Sequence, residues 1–347
     1  MSLATAWYRN ARWLPLLRPL SILVERVARK RFAARHAIAA ENQLPVPVIV
    51  VGNISVGGTG KTPLTIALVE LLRRHGWTPG VISRGYGAKP ARYPWPVTAT
   101  TPAHEGGDEP CLLARRTGVP LYIAPDRVAA AHRLLQHHPC DVLISDDGLQ
   151  HYPLPRTVEI AVIDGARGLG NGRCLPEGPL REPPERLRQV DLVIVNGPPS
   201  PALRQQLSAL GLRWYQMELK AEKLYPLAGG DPIGSAAWPF SRRVDAVAGI
   251  GHPARFFQTL RELGFEPIEH PLADHARLSE ASLEFASGLP LIMTEKDAVK
   301  CGQFNLANGW ALRVEARLDA HLEQTLLTRL TPGSAQPTGH NDGPQTA

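Results

Sequence analysis

Between Val48 and Thr62 the chain reads Val-Ile-Val-Val-Gly-Asn-Ile-Ser-Val-Gly-Gly-Thr-Gly-Lys-Thr, and no other stretch restricts the fold as much. The β-branched run predicts a buried strand. A glycine-rich turn then leads into a helix that starts at Lys61 and Thr62, carries Leu64, Ala67, Leu68, Leu71 and Leu72 at helical spacing, and stops at Gly76. Gly57, Gly58 and Gly60 can take positive φ, so that the backbone N–H groups of Ser55, Val56, Gly57, Gly58, Thr59, Gly60, Lys61 and Thr62 can form a phosphate cradle at a helix N-terminus. Lys61 is placed to reach the β- and γ-phosphates, and the Thr62 hydroxyl to ligate Mg²⁺. Ser55 stands where the generic pattern has its first glycine.

A strand, turn and helix of this kind need a carboxylate nearby for the metal. Asp141-Val142-Leu143-Ile144-Ser145-Asp146-Asp147-Gly148-Leu149-Gln150-His151 is an apolar strand ending in two aspartates, and Asp146 lies 85 residues after Lys61. Asp146 and Asp147 are therefore the metal candidates. His151 reads as a solvated loop histidine. Gly80-Val81-Ile82-Ser83 predicts another strand, and it runs into Arg84-Gly85-Tyr86-Gly87, which places Arg84 and Tyr86 at the carboxyl edge of the sheet where open α/β folds bind ligands. Residues 88–104 read as a loop. Further apolar runs at Pro120–Ala124, Val158–Asp164 and Asp191–Gly197 alternate with helical stretches, the pattern of a parallel sheet covered by helices on both faces.

The net charge of +6 suggests a nucleic-acid partner until it is located. Residues 1–40 carry +7 and the remainder −1, so the basicity belongs to an N-terminal arm. That arm interleaves Arg9, Arg12, Arg18, Arg26, Arg29, Lys30, Arg31 and Arg35 with Trp7, Trp13, Leu16, Leu20, Leu23 and Val27. Its longest apolar run, Leu20 to Val24 broken by Ser21, is far short of the roughly 20 residues that span a bilayer. It suits a membrane interface with anionic lipid, or packing on the protein's own body. The four cysteines form no C-x-x-C pair, so neither a zinc site nor a disulfide framework is indicated.

Residues 213–228 alternate with a strand period, and the composition changes from Pro226 to Gly234. The organisation expected is an arm at 1–40, a P-loop kinase domain at 41–212, a β-stranded linker at 213–234, a second and smaller α/β domain at 235–330, and a disordered tail at 331–347. In the second unit, Gly249-Ile250-Gly251-His252-Pro253 has the outline of a dinucleotide fingerprint or of a plain tight turn. Thr294-Glu295-Lys296-Asp297 after a strand reads as a helix cap or a base-reading loop, and carries no assigned role.

With the P-loop, Arg84-Gly85-Tyr86, Gly107-Asp108-Glu109-Pro110, Asp146-Asp147-Gly148-Leu149-Gln150-His151 and Leu180-Arg181-Glu182-Pro183 in this order, the chain resembles the tetraacyldisaccharide 4'-kinase family of lipid A biosynthesis, from the arm to about residue 330. The Ser-Val-Gly-Gly-Thr-Gly-Lys-Thr form of the loop is part of that resemblance. It implies ATP and Mg²⁺ as cofactors, and transfer of the γ-phosphoryl group to the 4'-hydroxyl of an acylated glucosamine disaccharide 1-phosphate. The place implied is the cytoplasmic face of the bacterial inner membrane, peripherally, with neither nucleic acid nor a protein partner. By position in the motifs, Asp108 and His275 match a catalytic pair acting beside Lys61, Asp146 and Asp147 a metal pair, and Gln150, Arg181 and Glu182 supporting site positions. The rival reading from the residues alone is a P-loop ATPase that engages nucleic acid or a partner protein through the arm.

Overall fold

The structure is a computed structural model that describes residues 3–9 and 11–330. The tail expected to be disordered, 331–347, lies outside the described residues. In chain order the strands are β1 (Val48–Gly52), β2 (Pro79–Ser83), β3 (Trp95–Pro96), β4 (Leu121–Ile123), β5 (Val142–Ser145), β6 (Val158–Asp164), β7 (Leu192–Asn196), β8 (Tyr215–Pro226), β9 (Ile233–Gly234), β10 (Arg243–Ala248), β11 (Glu266–Pro271), β12 (Leu291–Thr294) and β13 (Gly309–Leu318). The helices are α1 (Leu3–Arg9), α2 (Arg18–Ala33), α3 (Arg35–Ala40), α4 (Lys61–Arg74), α5 (Ala103–Gly106), α6 (Asp108–Thr117), α7 (Arg127–His137), α8 (Pro201–Ala209), α9 (Pro253–Glu262), α10 (Glu295–Ala298) and α11 (Ala320–Leu330).

Among the described residues all the strands join one sheet, in the order β11-β10-β12-β13-β8-β7-β6-β1-β5-β2-β4-β3, with β9 beside β8. Every residue of β1 is buried, and its side chains alternate between two cores, as the twofold period of a strand requires. Ile49 and Val51 pack with Leu64 and Leu68 of α4 and Leu322 and Leu326 of α11, whereas Val48 and Val50 face Ala131 and Leu134 of α7. Helices thus cover both faces, which is why an apolar run without polar alternation marks this strand.

The stretch expected to be a linker is a long central strand of the sheet. β8 starts parallel to β7 at Tyr215 and then pairs antiparallel with β13, from Met217 opposite Leu318 to Pro226 opposite Trp310. Beyond this reversal, β13, β12, β10 and β11 are parallel to one another again. Phe256, Phe257 and Leu260 of α9 cover one face of that part against Val244, Ala246 and Ala248. Residues 88–104, read as a loop, contain β3 and the start of α5.

The arm packs against the body along one side only. Trp7 Nε1 donates to the Pro176 carbonyl at 2.9 Å, Ser21 Oγ to the Cys174 carbonyl at 2.7 Å, and Arg18 pairs with the buried Glu177 at 2.9 Å. Its other side leaves Leu16 (81%), Leu20 (55%) and Leu23 (58%) exposed.

Candidate active site

The phosphate loop is held from outside by its carbonyls. Asn53 Nδ2 donates to the Gly57 carbonyl at 3.3 Å, the Arg167 guanidinium to the Gly58 carbonyl, and Asn196 Nδ2 to the Thr59 carbonyl at 3.0 Å. In a trans peptide the next N–H points the opposite way, so fixing these oxygens outward turns the amides of Gly58, Thr59 and Gly60 inward. A neighbouring loop adds two backbone bonds, Val56 N–H to Pro179 O at 2.9 Å and Arg181 N–H to Ile54 O at 2.6 Å. Gly60, the residue before α4, has φ +97°, and a Cβ there would lie 2.5 Å from Asn196 Nδ2. Gly58 needs no such conformation, and a Cβ on it would meet nothing within 4 Å. Its side of the loop is open where a ligand would sit.

Lys61 Nζ lies 3.4 Å from Asp147 Oδ1, and Arg181 Nη1 lies 3.7 Å from the other oxygen of the same carboxylate. Burial pulls Asp147 upward, but Lys61 and Arg181 together outweigh it and hold the group below the ordinary carboxylate range. Asp146 is buried, and Thr65, one turn into α4, donates to its Oδ1 at 3.0 Å. Its Oδ2 has no hydrogen-bond partner, and burial, then Glu109 and Asp147, pushes the group up to about 7. Gln150 Nε2 bridges the Asn53 carbonyl and Glu182 Oε2, each at 3.0 Å, while the Tyr152 hydroxyl donates to Glu182 Oε1. These contacts place Gln150, Arg181 and Glu182 in one bonded layer beneath the loop. Ser55 and Thr59 of the loop are buried as well.

Asp108 opens α6, and its carboxylate leaves the helix to meet His275 Nδ1 at 3.1 Å. His275 has φ +60°, a left-handed conformation that an imidazole-bearing residue adopts at a cost. The exposed Tyr86 ring sits 5.1 Å from the imidazole, centroid to centroid. The glycine turn at Gly249–Pro253 abuts the phosphate loop: a Cβ on Gly251 would lie 3.3 Å from the Gly58 amide nitrogen and 3.7 Å from Asp274 Oδ2. The fingerprint-like glycines therefore allow two backbones to approach, and the residue next to His275 lies beside the phosphate loop.

His151 departs from the sequence expectation. Its side chain is 17% exposed, its Nε2 accepts from the Arg127 amide at 3.3 Å, and burial beside Arg127 lowers its pKa to about 4. It is packed at the start of α7 and is not a solvated loop side chain. Sequence reading also missed Asn196, Arg167 and Thr65, because their roles depend on partners 81 to 137 residues away. Within Thr294-Glu295-Lys296-Asp297, Thr294 is the helix cap, Glu295 forms a buried pair with Arg116 at 2.7 Å, and Lys296 reaches the Asp108–His275 pair.

An inward-facing amide nest followed by Lys61, with the buried Asp146 and the half-buried Asp147 just past the end of the adjacent strand β5, is suited to phosphoryl groups and their counter-ions. On this sheet it defines the class: a P-loop kinase. The comparisons agree and narrow it. The family model described as tetraacyldisaccharide-1-P 4'-kinase matches residues 13–331, and the chain belongs to that family. A tetraacyldisaccharide 4'-kinase of Pseudomonas putida (strain F1) is 51% identical over 316 residues, covering 91% of this chain and 92% of the relative. One of Azotobacter vinelandii is 49% identical over 321 residues, covering 90% and 92%. The solved structure of LpxK from Aquifex aeolicus, in complex with ATP, matches at a TM-score of 0.73 and 25% identity, covering 92% of this chain and 99% of that one.

Proposed function

We propose that this chain transfers the γ-phosphoryl group of ATP to the 4'-hydroxyl of tetraacyldisaccharide 1-phosphate, giving lipid IVA in lipid A biosynthesis. The observation that carries the reading is the nearness of the Asp108–His275 pair to the phosphate loop: a Cβ on Gly251 would meet both the Gly58 amide nitrogen, at 3.3 Å, and Asp274, the residue before His275, at 3.7 Å. The sugar O4' attacks the γ-phosphorus, the bond from that phosphorus to the β-bridging oxygen breaks, and ADP leaves. A sugar hydroxyl is a poor nucleophile at neutral pH, so the Asp108–His275 pair takes its proton as the new P–O bond forms. The inward amides of Gly58, Thr59 and Gly60, with Lys61, hold the charge of the transferred group, since phosphoryl transfer depends mostly on positioning and electrostatics.

Thr62, Asp146 and Asp147 fit a divalent cation, because Asp146 Oδ2 is a buried acceptor without a donor. Among the described residues no group of three or more His, Cys, Asp or Glu side chains could hold a metal, so phosphate oxygens and water would complete the shell. Held by these residues, Mg²⁺ would supply positive charge that offsets the charge on the phosphate oxygens. Gln150, Arg181, Glu182 and Tyr86 act in support, the first three by fixing the layer under the loop.

The arm lies on the cytoplasmic surface of the bacterial inner membrane. Leu16, Leu20 and Leu23 face outward beside Arg26 and Lys30, and among the described residues no helix is long and apolar enough to cross a bilayer. Residues 41–212 and 235–330 act as two units joined through 213–234, and their closure excludes water from the reacting phosphate. Mass spectrometry of a reaction with ATP, Mg²⁺ and detergent-dispersed disaccharide tests the reading. One added phosphoryl group is expected, and no product under these conditions would overturn it.

A further inference from the structure

The segment at 294–297 carries three cation–acceptor contacts around one nitrogen. Lys296 Nζ lies 3.1 Å from Glu109 Oε1, 3.1 Å from Asp274 Oδ1 and 3.3 Å from His275 Nε2. An ammonium has three donors and no acceptor, so each of these three partners must accept. His275 Nε2 therefore presents a lone pair to Lys296. Among the described residues the carboxylate recorded near that nitrogen, Asp274 Oδ1, is 3.7 Å away and outside hydrogen-bond distance, so it does not compete for a proton there.

We propose that Lys296 is a positioning residue that fixes the tautomer of His275, with the ring proton on Nδ1 donated to Asp108 Oδ2. The inference rests on the reading of Asp108 and His275 as the proton-accepting pair. A neutral imidazole carries one N–H, and if Nε2 accepts from Lys296, that N–H is on Nδ1, 3.1 Å from Asp108 Oδ2. Lys300, 3.6 Å from the same oxygen and 3.0 Å from the fully buried Asp297, reinforces the hold on Oδ2. The carboxylate is thus anchored through one oxygen, and Oδ1 is left to receive the proton of the sugar hydroxyl.

The contacts also explain how this geometry is supported. Asp108 and Glu109 form the first turn of α6, and Lys296 and Lys300 belong to the segment that begins with α10. Asp297 receives the Gly249 amide at 2.8 Å and the Thr294 hydroxyl at 2.6 Å, so the turn that approaches the phosphate loop and the turn that carries Lys296 share one buried carboxylate. A shift of either would move the other.

The test is a long-range ¹H–¹⁵N spectrum of the full chain labelled at histidine, with His275 assigned by its loss in His275→Gln. The wild-type ring should show Nδ1 protonated and Nε2 bare; Nε2 protonated would overturn the proposal, and this measurement needs no variant of Lys296. Lys296→Met should release the tautomer to a mixture and lower kcat between about tenfold and a hundredfold, part of the roughly 10²–10⁴-fold that a positioned base supplies, with the KM for ATP unchanged. An unaltered kcat, or a loss confined to KM, would overturn it. Asp108→Asn separates the two readings: full activity in that variant refutes the proton-accepting pair, whereas its inactivity beside a fully active Lys296→Met refutes only the role of Lys296.

Discussion

Two glycines of the phosphate loop, separated by Thr59, should fail in opposite ways when each receives a single methyl group. Gly60 has φ +97°, where an L-residue is strained by about 1–2 kcal/mol, and its Cβ would overlap Asn196 Nδ2 at 2.5 Å. Displacing Asn196 also breaks its bond to the Thr59 carbonyl, which adds about 1–2 kcal/mol for a buried polar pair. Gly60→Ala should therefore cost about 2–4 kcal/mol and lower the melting temperature by at least about 4 °C, taking roughly 2–4 °C per kcal/mol for domains of 150–250 residues. Gly58 has no positive φ and nothing within 4 Å of its Cβ position, so Gly58→Ala should stay within about 0.5 kcal/mol of wild type. On the proposed reading its methyl group would instead stand in the space left for the triphosphate. Loss of one charge-assisted hydrogen bond, about 1.5–3 kcal/mol, corresponds to a roughly ten- to hundredfold weaker ATP affinity. Scanning calorimetry without nucleotide and titration calorimetry with a non-hydrolysable ATP analogue read the two effects separately. Unchanged nucleotide affinity in Gly58→Ala, or an unchanged melting temperature in Gly60→Ala, would refute the reasoning.

Lys61→Ala should lower kcat by about 10²–10³-fold with the fold intact, by analogy with loss of one transition-state donor, and near-normal turnover in a steady-state assay would contradict the phosphate role. Leu16→Glu, Leu20→Glu and Leu23→Glu together remove exposed apolar surface worth about 1–2 kcal/mol each, so vesicle co-sedimentation should fall at least about a hundredfold while the melting temperature holds. His151 has a folded pKa of about 4 against an unfolded value near 6.5, so the unfolded chain binds the extra proton first as pH falls. Its contribution is fully present above about pH 6.5 and is lost towards pH 4, at most about 3 kcal/mol; His151→Gln should flatten the denaturant midpoint across that window, and an unchanged slope would count against its burial.

The parts of this molecule that were readable in the sequence are those whose signal is local. Val48–Val51 announces a strand buried on both faces, and Gly-Lys-Thr announces the helix start, because each depends on near neighbours. The apolar strand that leads into Asp146 was readable for the same reason. Asn196 was not: a single asparagine after a strand carries no pattern, and its partner Thr59 is 137 residues earlier. Lys296 sits in a segment whose local reading, a helix cap by Thr294, was sound as far as it went, while its contacts to Glu109 and His275 arise from the sheet order. β11, Glu-Pro-Ile-Glu-His-Pro, is a half-exposed edge strand without a core face and gave little to read. The alternation at 213–228 was read as extended and β8 lies there, but its place in the sheet depends on β13, whose partners are 84 to 101 residues later in the chain.

The most direct measurement is a crystal structure of the chain grown with a non-hydrolysable ATP analogue. The triphosphate should lie against the amides of Gly58, Thr59 and Gly60, with Lys61 on the terminal phosphate and the Asp108–His275 pair facing it. A nucleotide bound elsewhere, with the loop between β1 and α4 taking no part, would contradict it.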